Sequence, residues 1–316
     1  MKLAFVDKLT ELAEADPNIM LLTGDLGFQI FDGFIEKHGP RYINVGVAEA
    51  NMIDTAAGLA HVGRRPVAYS IASFATTRCF EQIKLSVAYA GLPVVIVGAG
   101  GGYGYCENGP THHAGEDLAL MCSLPGMTVV APGDAGEVQQ LLSQVMKLSG
   151  PAYFRIGRGR EPVYHADAPV VLGKARLLQQ GERIAVLSTG EIAGQLVEAL
   201  KICRDQDMSP LAYQYHTVKP FDAETLAHIA ERVDAIVTIE EHVPFGGFGA
   251  QVACHLSAQS HHPVLKRLSV ADEFVLGGPH KDQMRRDYGL DAQGIAETLM
   301  ALWAAPAAVN TAEGRQ

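Results

Sequence analysis

The stretch Asn44-Val45-Gly46-Val47-Ala48-Glu49-Ala50-Asn51-Met52-Ile53 decides how this chain is read. It puts one carboxylate, Glu49, at the start of an apolar run of small residues that continues to about Ala60 and that the pattern predicts as a helix. Cations are sparse nearby in sequence: Arg41 lies upstream, and Arg64 and Arg65 are the first basic residues downstream. Burial without a partner disfavours the charged form of a carboxylate. Glu49 is therefore suited to share a proton with a ligand nitrogen. The position equally suits an ordinary helix N-terminal Glu favoured by the helix dipole, and the stretch alone leaves both readings open.

Outward from this stretch, short β-rich runs alternate with helical ones. Strands are predicted at 19–22, 66–69, 94–97, 128–130 and 152–155, with helices near 4–15, 49–61, 78–89, 116–123 and 134–147. Continuously apolar strands separated by helices imply a parallel sheet covered on both faces. Pro132-Gly133-Asp134 supplies a turn and a helix N-cap. Residues 157–182 interrupt the alternation with Gly157, Gly159, Pro162, Pro169 and Gly173. A second alternating unit follows, with strands at 184–187, 211–215, 235–239 and 264–268 and helices near 192–203, 222–231, 247–258 and 291–303. The expected fold class is α/β, as two consecutive three-layer α/β/α domains with mostly parallel sheets. Their expected bounds are 1–160 and 183–305, joined by a linker at 161–182 and followed by a flexible tail at 306–316.

The chain has 316 residues, enough for two domains. Its net charge of −10 argues against general nucleic-acid binding and against an anionic membrane surface. Five cysteines form no C-x-x-C pair, which fits a reducing compartment. No apolar run reaches the roughly 18 residues of a membrane span, and Met1-Lys2-Leu3-Ala4-Phe5-Val6-Asp7 meets charge too early for a secretory signal. The expected location is the cytoplasm.

Three motifs then recur in one order. Val45-Gly46-Val47-Ala48-Glu49 with Ala56-Ala57-Gly58-Leu59-Ala60 resembles the pyrimidine-binding domain of thiamine-diphosphate enzymes, closest to transketolases and deoxyxylulose-phosphate synthases. Glu107-Asn108-Gly109-Pro110-Thr111-His112 resembles the transketolase loop that reads Glu-Asp-Gly-Pro-Thr-His. Thr217-Val218-Lys219-Pro220-Phe221-Asp222, Glu240-Glu241-His242 and Gly246-Gly247-Phe248-Gly249 resemble the C-terminal domain shared by transketolases and 2-oxo-acid dehydrogenase beta subunits. The resemblance covers residues from about 20 to 295. The family holds the diphosphate and its metal through a Gly-Asp-Gly motif on another domain. Here the nearest segments are Gly24-Asp25-Leu26 and Gly133-Asp134-Ala135, and full-length transketolases are about twice as long. The resemblance therefore implies the C-terminal half of a split transketolase.

For the site, the resemblance implies that Glu49 engages the aminopyrimidine of thiamine diphosphate and that Phe74 is its stacking platform. Arg78 and Phe80 follow near the start of the next helix and are read as further cofactor contacts, with Arg78 left open between ordering this wall and pairing with an acid. The cofactor then serves as electron sink for a ketose carbonyl. His112 acts on the donor as a hydrogen-bond donor or proton shuttle. His113 is its neighbour, and adjacent histidines lack the usual spacing of zinc ligands; no metal ligand is assigned to this chain. Gly98 to Cys106 fails the G-x-G-x-x-G spacing and is read as a flexible loop over the site.

Substrate contacts are implied at Gln29, Gly100, Asn108, His112 and Arg158, yet three of these depart from the family. Asn108 stands where the family has Asp, Gly100-Gly101-Gly102 where it has His-Asp-Ser, and Gln29 where it has a phosphate-binding Ser. Arg158 keeps the family's phosphate-binding Arg, a residue shaped for bidentate contact. The acceptor is left open between an unusual sugar phosphate, a sulfo-sugar and an unphosphorylated aldehyde. The implied partner is an N-terminal transketolase subunit carrying the diphosphate site and most of the Mg²⁺ ligands, in a heterotetramer of two copies of each chain. Three alternatives stand beside this reading: the beta subunit of a 2-oxo-acid dehydrogenase, a deoxyxylulose-phosphate synthase variant, and a degenerate non-catalytic paralogue.

Overall fold

Two open sheets organise the chain, and in each the central strands are apolar on both faces because helices cover both. The computed structural model describes residues 1–27, 29–159, 163–164, 169–259, 262–276 and 280–305. The first half runs α1 (Lys2–Ala15), β1 (Ile19–Thr23), α2 (Asp32–His38), β2 (Tyr42–Asn44), α3 (Glu49–His61), β3 (Arg65–Ile71), α4 (Ala72–Thr76), α5 (Phe80–Gln82), β4 (Val95–Ala99), α6 (Asp117–Cys122), β5 (Thr128–Val130), α7 (Ala135–Val145) and β6 (Ala152–Ile156). The second half runs β7 (Arg176–Gln179), β8 (Arg183–Ser188), α8 (Ala193–Arg204), β9 (Leu211–Gln214), β10 (Thr217–Lys219), α9 (Ala223–Ala230), β11 (Val233–Ile239), α10 (Phe248–Ser257), β12 (Val264–Leu268), α11 (Lys281–Asp287) and α12 (Ala292–Ala304).

The first sheet has seven strands in the order β10-β5-β6-β4-β3-β1-β2, and the second has five in the order β12-β11-β8-β9-β7. All neighbours are parallel except β10 against β5 and β7 against β9. Side chains alternate across each strand. Leu21, Val67, Val97 and Phe154 thus pack under α1, α2 and α7 with Phe5, Leu9, Phe34 and Leu141. Their neighbours Leu22, Ala68, Ile96 and Tyr153 pack under α3 and α6 with Met52, Ile53, Ala56 and Met121. The second sheet repeats the arrangement. Val186 and Val237 face Leu196 and Leu299, while Leu187 and Ile236 face Leu226 and Phe248. The α/β class with mostly parallel sheets is as expected.

Three local differences stand out. Residues 176–179 fall in the expected linker but form β7, which pairs with β9; Arg176 and Leu178 bury one face of the strand while Leu177 and Gln179 stay half-buried on the other. The helix expected over 78–89 starts earlier, at Ala72, directly on the end of β3. It then changes pitch, through a 3₁₀ turn at Thr77–Cys79 and a π segment at Ile83–Ala88. Such interruptions of a helical ladder cluster where a side chain must be aimed. Finally, β10 leaves the C-terminal half to close the edge of the first sheet. The expected tail at 306–316 lies outside the described residues. Among the described residues no helix is long and apolar enough to cross a membrane.

Candidate functional site

In an open parallel sheet ligands sit beyond the carboxyl ends of the strands, and there the chain gathers its candidate residues. Glu49 begins α3 just past β2. Its carboxylate is almost wholly buried, and the close approach of α3 to the end of β1 sets Gly24 beside it: a Cβ at Gly24 would lie 3.3 Å from Glu49 Oε1. Ser70, at the end of β3, donates its hydroxyl to Oε1 at 3.1 Å. Oε2 accepts from Arg78 Nη1 at 2.8 Å. The sparse cations seen around Glu49 in sequence are therefore misleading. The partner comes from 29 residues downstream, because β3 and β1 are parallel neighbours and the 3₁₀ turn after α4 swings Arg78 back over α3.

Phe74, on α4, is half-buried, and the Arg78 guanidinium carbon stands 4.0 Å from its ring centroid. His112 approaches the same ring at 5.0 Å. Its Nδ1 lies 2.9 Å from Thr111 Oγ1, and Tyr105 is its next aromatic neighbour at 6.2 Å. Ser73 donates to the Thr111 carbonyl at 3.5 Å, tying α4 to the loop that carries His112. Glu49, Arg78, Phe74 and His112 thus form one continuous row. Phe80 is not part of it. Its half-buried ring packs with the apolar cluster beneath α3. His113 points inward, its Nε2 3.0 Å from the Cys106 carbonyl, and burial lowers its basicity.

The glycine-rich segment does not lie open over the site as expected. Gly100, Gly101 and Gly102 are buried, and Gly102 bridges Ala114. A Cβ at Gly100 (φ +67°) would overlap the Tyr105 ring, and one at Gly101 would overlap Arg155. The three glycines are therefore required by what packs on them, Tyr105 at Gly100 and Arg155 at Gly101 and Gly102. Arg155 in turn is buried, 3.0 Å from Asp117 Oδ2, and donates to the Glu241 carbonyl at 2.9 Å.

The remaining expected substrate contacts are more scattered. Arg158 follows β6, its guanidinium carbon 4.5 Å from the Tyr105 ring centroid, and it pairs closely with Glu107. The Glu107 carboxyl is held below the usual range by a backbone hydrogen bond and by Arg158. Lys2 donates to Tyr105 Oη at 3.0 Å. Asn108 is exposed on the turn Cys106–Asn108. Gln29 is exposed in the loop after β1, with a positive φ of 65°. Ser70, Tyr105 and Lys2 carry no motif of their own in the sequence; the one available signal is that Tyr105 follows directly on the glycine-rich run that ends at Gly104.

The C-terminal motifs build scaffold. Glu240 accepts from the backbone amides of Phe248 and Gly249, at 2.7 and 2.8 Å, and caps α10. A Cβ at Gly247 would overlap that carboxylate, one at Gly249 would crowd Thr238 Oγ1, and one at Gly246 would crowd Ala119, which explains the glycines of Gly246-Gly247-Phe248-Gly249. Glu241 accepts from Arg285 Nε at 2.8 Å, with Lys281 3.4 Å away. His242 Nε2 accepts the Ala119 amide at 3.3 Å, joining the two halves. Among the described residues no group of three or more His, Cys, Asp or Glu could hold a metal ion.

Comparison with known proteins identifies the family and the fold. The family model "Transketolase, pyrimidine binding domain" matches residues 1–162 and "Transketolase, C-terminal domain" matches residues 173–295. The chain is 34% identical to an apulose-4-phosphate transketolase subunit of Phocaeicola vulgatus, over 94% of this chain and 95% of that one. It is 37% identical to a 6-deoxy-6-sulfo-D-fructose transketolase subunit of Clostridium sp., over 92% and 90%. A solved split-gene transketolase, described as an inactive beta4 tetramer, superimposes with a TM-score of 0.86 at 32% identity, covering 95% of this chain and 97% of that one. The chain belongs to the transketolase family, as a C-terminal section of the split type.

Proposed function

We propose that this chain is the pyrimidine-binding and C-terminal subunit of a thiamine-diphosphate-dependent transketolase whose diphosphate and metal site lies on a partner chain. The assembled enzyme moves a two-carbon ketol unit from a ketose donor to an aldehyde acceptor. One observation carries the reading. The buried Glu49 carboxylate, the Phe74 ring and His112 stand in a row at the strand ends of the first sheet. An aminopyrimidine needs both a carboxylate at its ring nitrogen and a flat apolar face to stack on, and both are present side by side. Thiamine diphosphate, when bound, supplies the electron sink for breaking and making the bond next to a carbonyl.

The chain's own residues do the rest. Glu49 holds the proton shared with the pyrimidine nitrogen, and Ser70 fixes the orientation of the carboxylate through Oε1. Phe74 supports the ring. His112, half-buried between Phe74 and Tyr105, donates a hydrogen bond to the donor's hydroxyl or to charge developing at its carbonyl oxygen. Arg158, Asn108, Gln29 and the backbone at Gly100 bound the substrate end. The functional units are residues 1–160 and, with β7 included, 176–305. The working form is a heterotetramer with an N-terminal subunit that carries most of the Mg²⁺ ligands, acting in the cytoplasm.

The test is ketol transfer by this chain, alone and mixed with a partner chain bearing the diphosphate domain, with thiamine diphosphate and Mg²⁺ supplied. Phosphorylated, sulfonated and unmodified aldehydes form the acceptor panel. Transfer only in the mixture is the expected result. Transfer by this chain alone overturns the split assignment, and decarboxylation of a 2-oxo acid in place of transfer moves the protein to the dehydrogenase class.

A further inference from the structure

Arg78 makes two contacts that share one logic. Its guanidinium is planar and cationic, it lies over the Phe74 ring with its carbon 4.0 Å from the centroid, and Nη1 donates to Glu49 Oε2 at 2.8 Å. These are the platform and the acceptor that the proposed function gives to the aminopyrimidine. Ser70 already engages Oε1, which leaves Oε2 as the exchangeable oxygen. The two occupants therefore compete for one oxygen and one ring.

We infer that Arg78 is a displaceable placeholder: in the cofactor-free chain it occupies the aminopyrimidine slot, and cofactor binding requires it to swing out. The inference rests on the reading of Glu49 and Phe74 given above. One observation and two general energetic facts make the swing feasible. The Arg78 side chain is 45% exposed, while the Glu49 side chain is 1% exposed, so the arginine is the partner that can leave into water. A half-exposed ion pair contributes little net stability. A guanidinium over an aromatic face at an exposed site is likewise a weak contact. The arrangement also protects the empty site, because a buried carboxylate without a partner disfavours folding. Arg78 thus neutralises Glu49 until the ligand arrives and then stands at the mouth of the slot as a free cation. In this arrangement Arg78 opposes cofactor binding, whereas the sequence alone leaves it between ordering the cofactor wall and pairing with an acid.

When a binding-competent state is only fractionally populated, apparent affinity falls by that fraction. A slot closed about nine-tenths of the time weakens cofactor binding about tenfold. The experiment is calorimetric titration of thiamine diphosphate, with Mg²⁺, into the cofactor-free complex of this chain with its partner subunit. Wild type, Arg78→Ala and Arg78→Gln are compared, with circular dichroism as the folding check; the Gln variant retains an amide donor for Glu49 should the Ala variant fold poorly. The expected result is a dissociation constant lowered about tenfold in Arg78→Ala, with a smaller drop in Arg78→Gln. Unchanged or weaker binding in folded variants, with the wild-type complex still binding cofactor, overturns the placeholder and leaves the proposed function standing. Absence of cofactor binding in every complex overturns both together.

Discussion

The molecule contains two clusters of the same residue types in the same kind of place, and they are built in opposite ways. At the strand ends of the first sheet, Glu49 is buried but its arginine is 45% exposed, and Phe74 and His112 are half-buried. At the strand ends of the second sheet, Glu240, Glu241 and His242 are all buried. Their acceptors are filled by the Phe248 and Gly249 amides, by Arg285 and by the Ala119 amide. The first cluster ends on groups that water or a ligand can reach; the second closes on the protein itself. A carboxylate at the end of a strand is therefore not a site by residue type. It becomes one when its partner can be exchanged.

This contrast can be broken by substitution, and the largest effect is expected at Glu49. Glu49→Gln keeps the shape and removes the proton partner, so ketol transfer by the reconstituted enzyme should fall about 10²–10⁴-fold while the melting temperature barely moves. A Gln variant with full activity would falsify the assignment. Glu241→Ala should behave in reverse. It removes the carboxylate that Arg285 Nε donates to, leaving Glu191 3.7 Å from the guanidinium, and should lower the unfolding free energy by about 1–3 kcal/mol in urea titration. An effect of that size on kcat at unchanged stability would make the second cluster a site after all.

A pH experiment sharpens the same distinction. Burial pushes the His216 imidazole down to about 4, and burial lifts the Glu137 carboxyl to about 7. As pH falls from 6.5 towards 4, the unfolded chain takes up a proton at His216 that the folded chain refuses, so this residue's contribution to stability is lost in that window. Glu137 has the opposite sign: its folded form keeps a proton that the unfolded chain releases, so its contribution fades as pH rises from 4.5 to 7. Comparing His216→Gln with wild type isolates the first effect. The difference between their unfolding free energies should change by about 3 kcal/mol between pH 7 and pH 4. A difference that stays flat with pH would show that the imidazole is not held neutral. The smallest effect is expected at Phe80. Phe80→Leu should lower stability by under about 1.5 kcal/mol and leave cofactor affinity unchanged, whereas Phe74→Leu should weaken cofactor binding. Equal loss of affinity in both variants would return Phe80 to the site.

The fold was largely legible in the sequence because continuously apolar strands between amphipathic helices leave few other arrangements. Leu21 and Leu22, adjacent in sequence, feed opposite helical layers, as an unbroken apolar strand requires. What escaped was short or depended on distant packing. Thr217-Val218-Lys219 reads as a motif and not as a strand, since it pairs with β5, some 90 residues earlier. In the site, Glu49, Phe74 and His112 were legible through their motifs, and the structure sets them in one row. The pairing of Glu49 with Arg78 was not, because sequence distance hides a contact made through parallel strands. The glycines at 100–102 looked like freedom of movement and turned out to be clearance for Tyr105 and Arg155.

The crossing of β10 into the first sheet bears on modularity. Its pairing with β5 hides one row of backbone donors and acceptors that would otherwise face water. A fragment ending near residue 162 would carry every other strand of that sheet and yet present a bare edge, the feature that templates aggregation. The two halves of this chain are thus woven and cannot be parted at the stretch between them. A division of the enzyme into separate polypeptides is compatible with this fold ahead of α1, but a second division between the two sheets would leave a fragment prone to associate with itself.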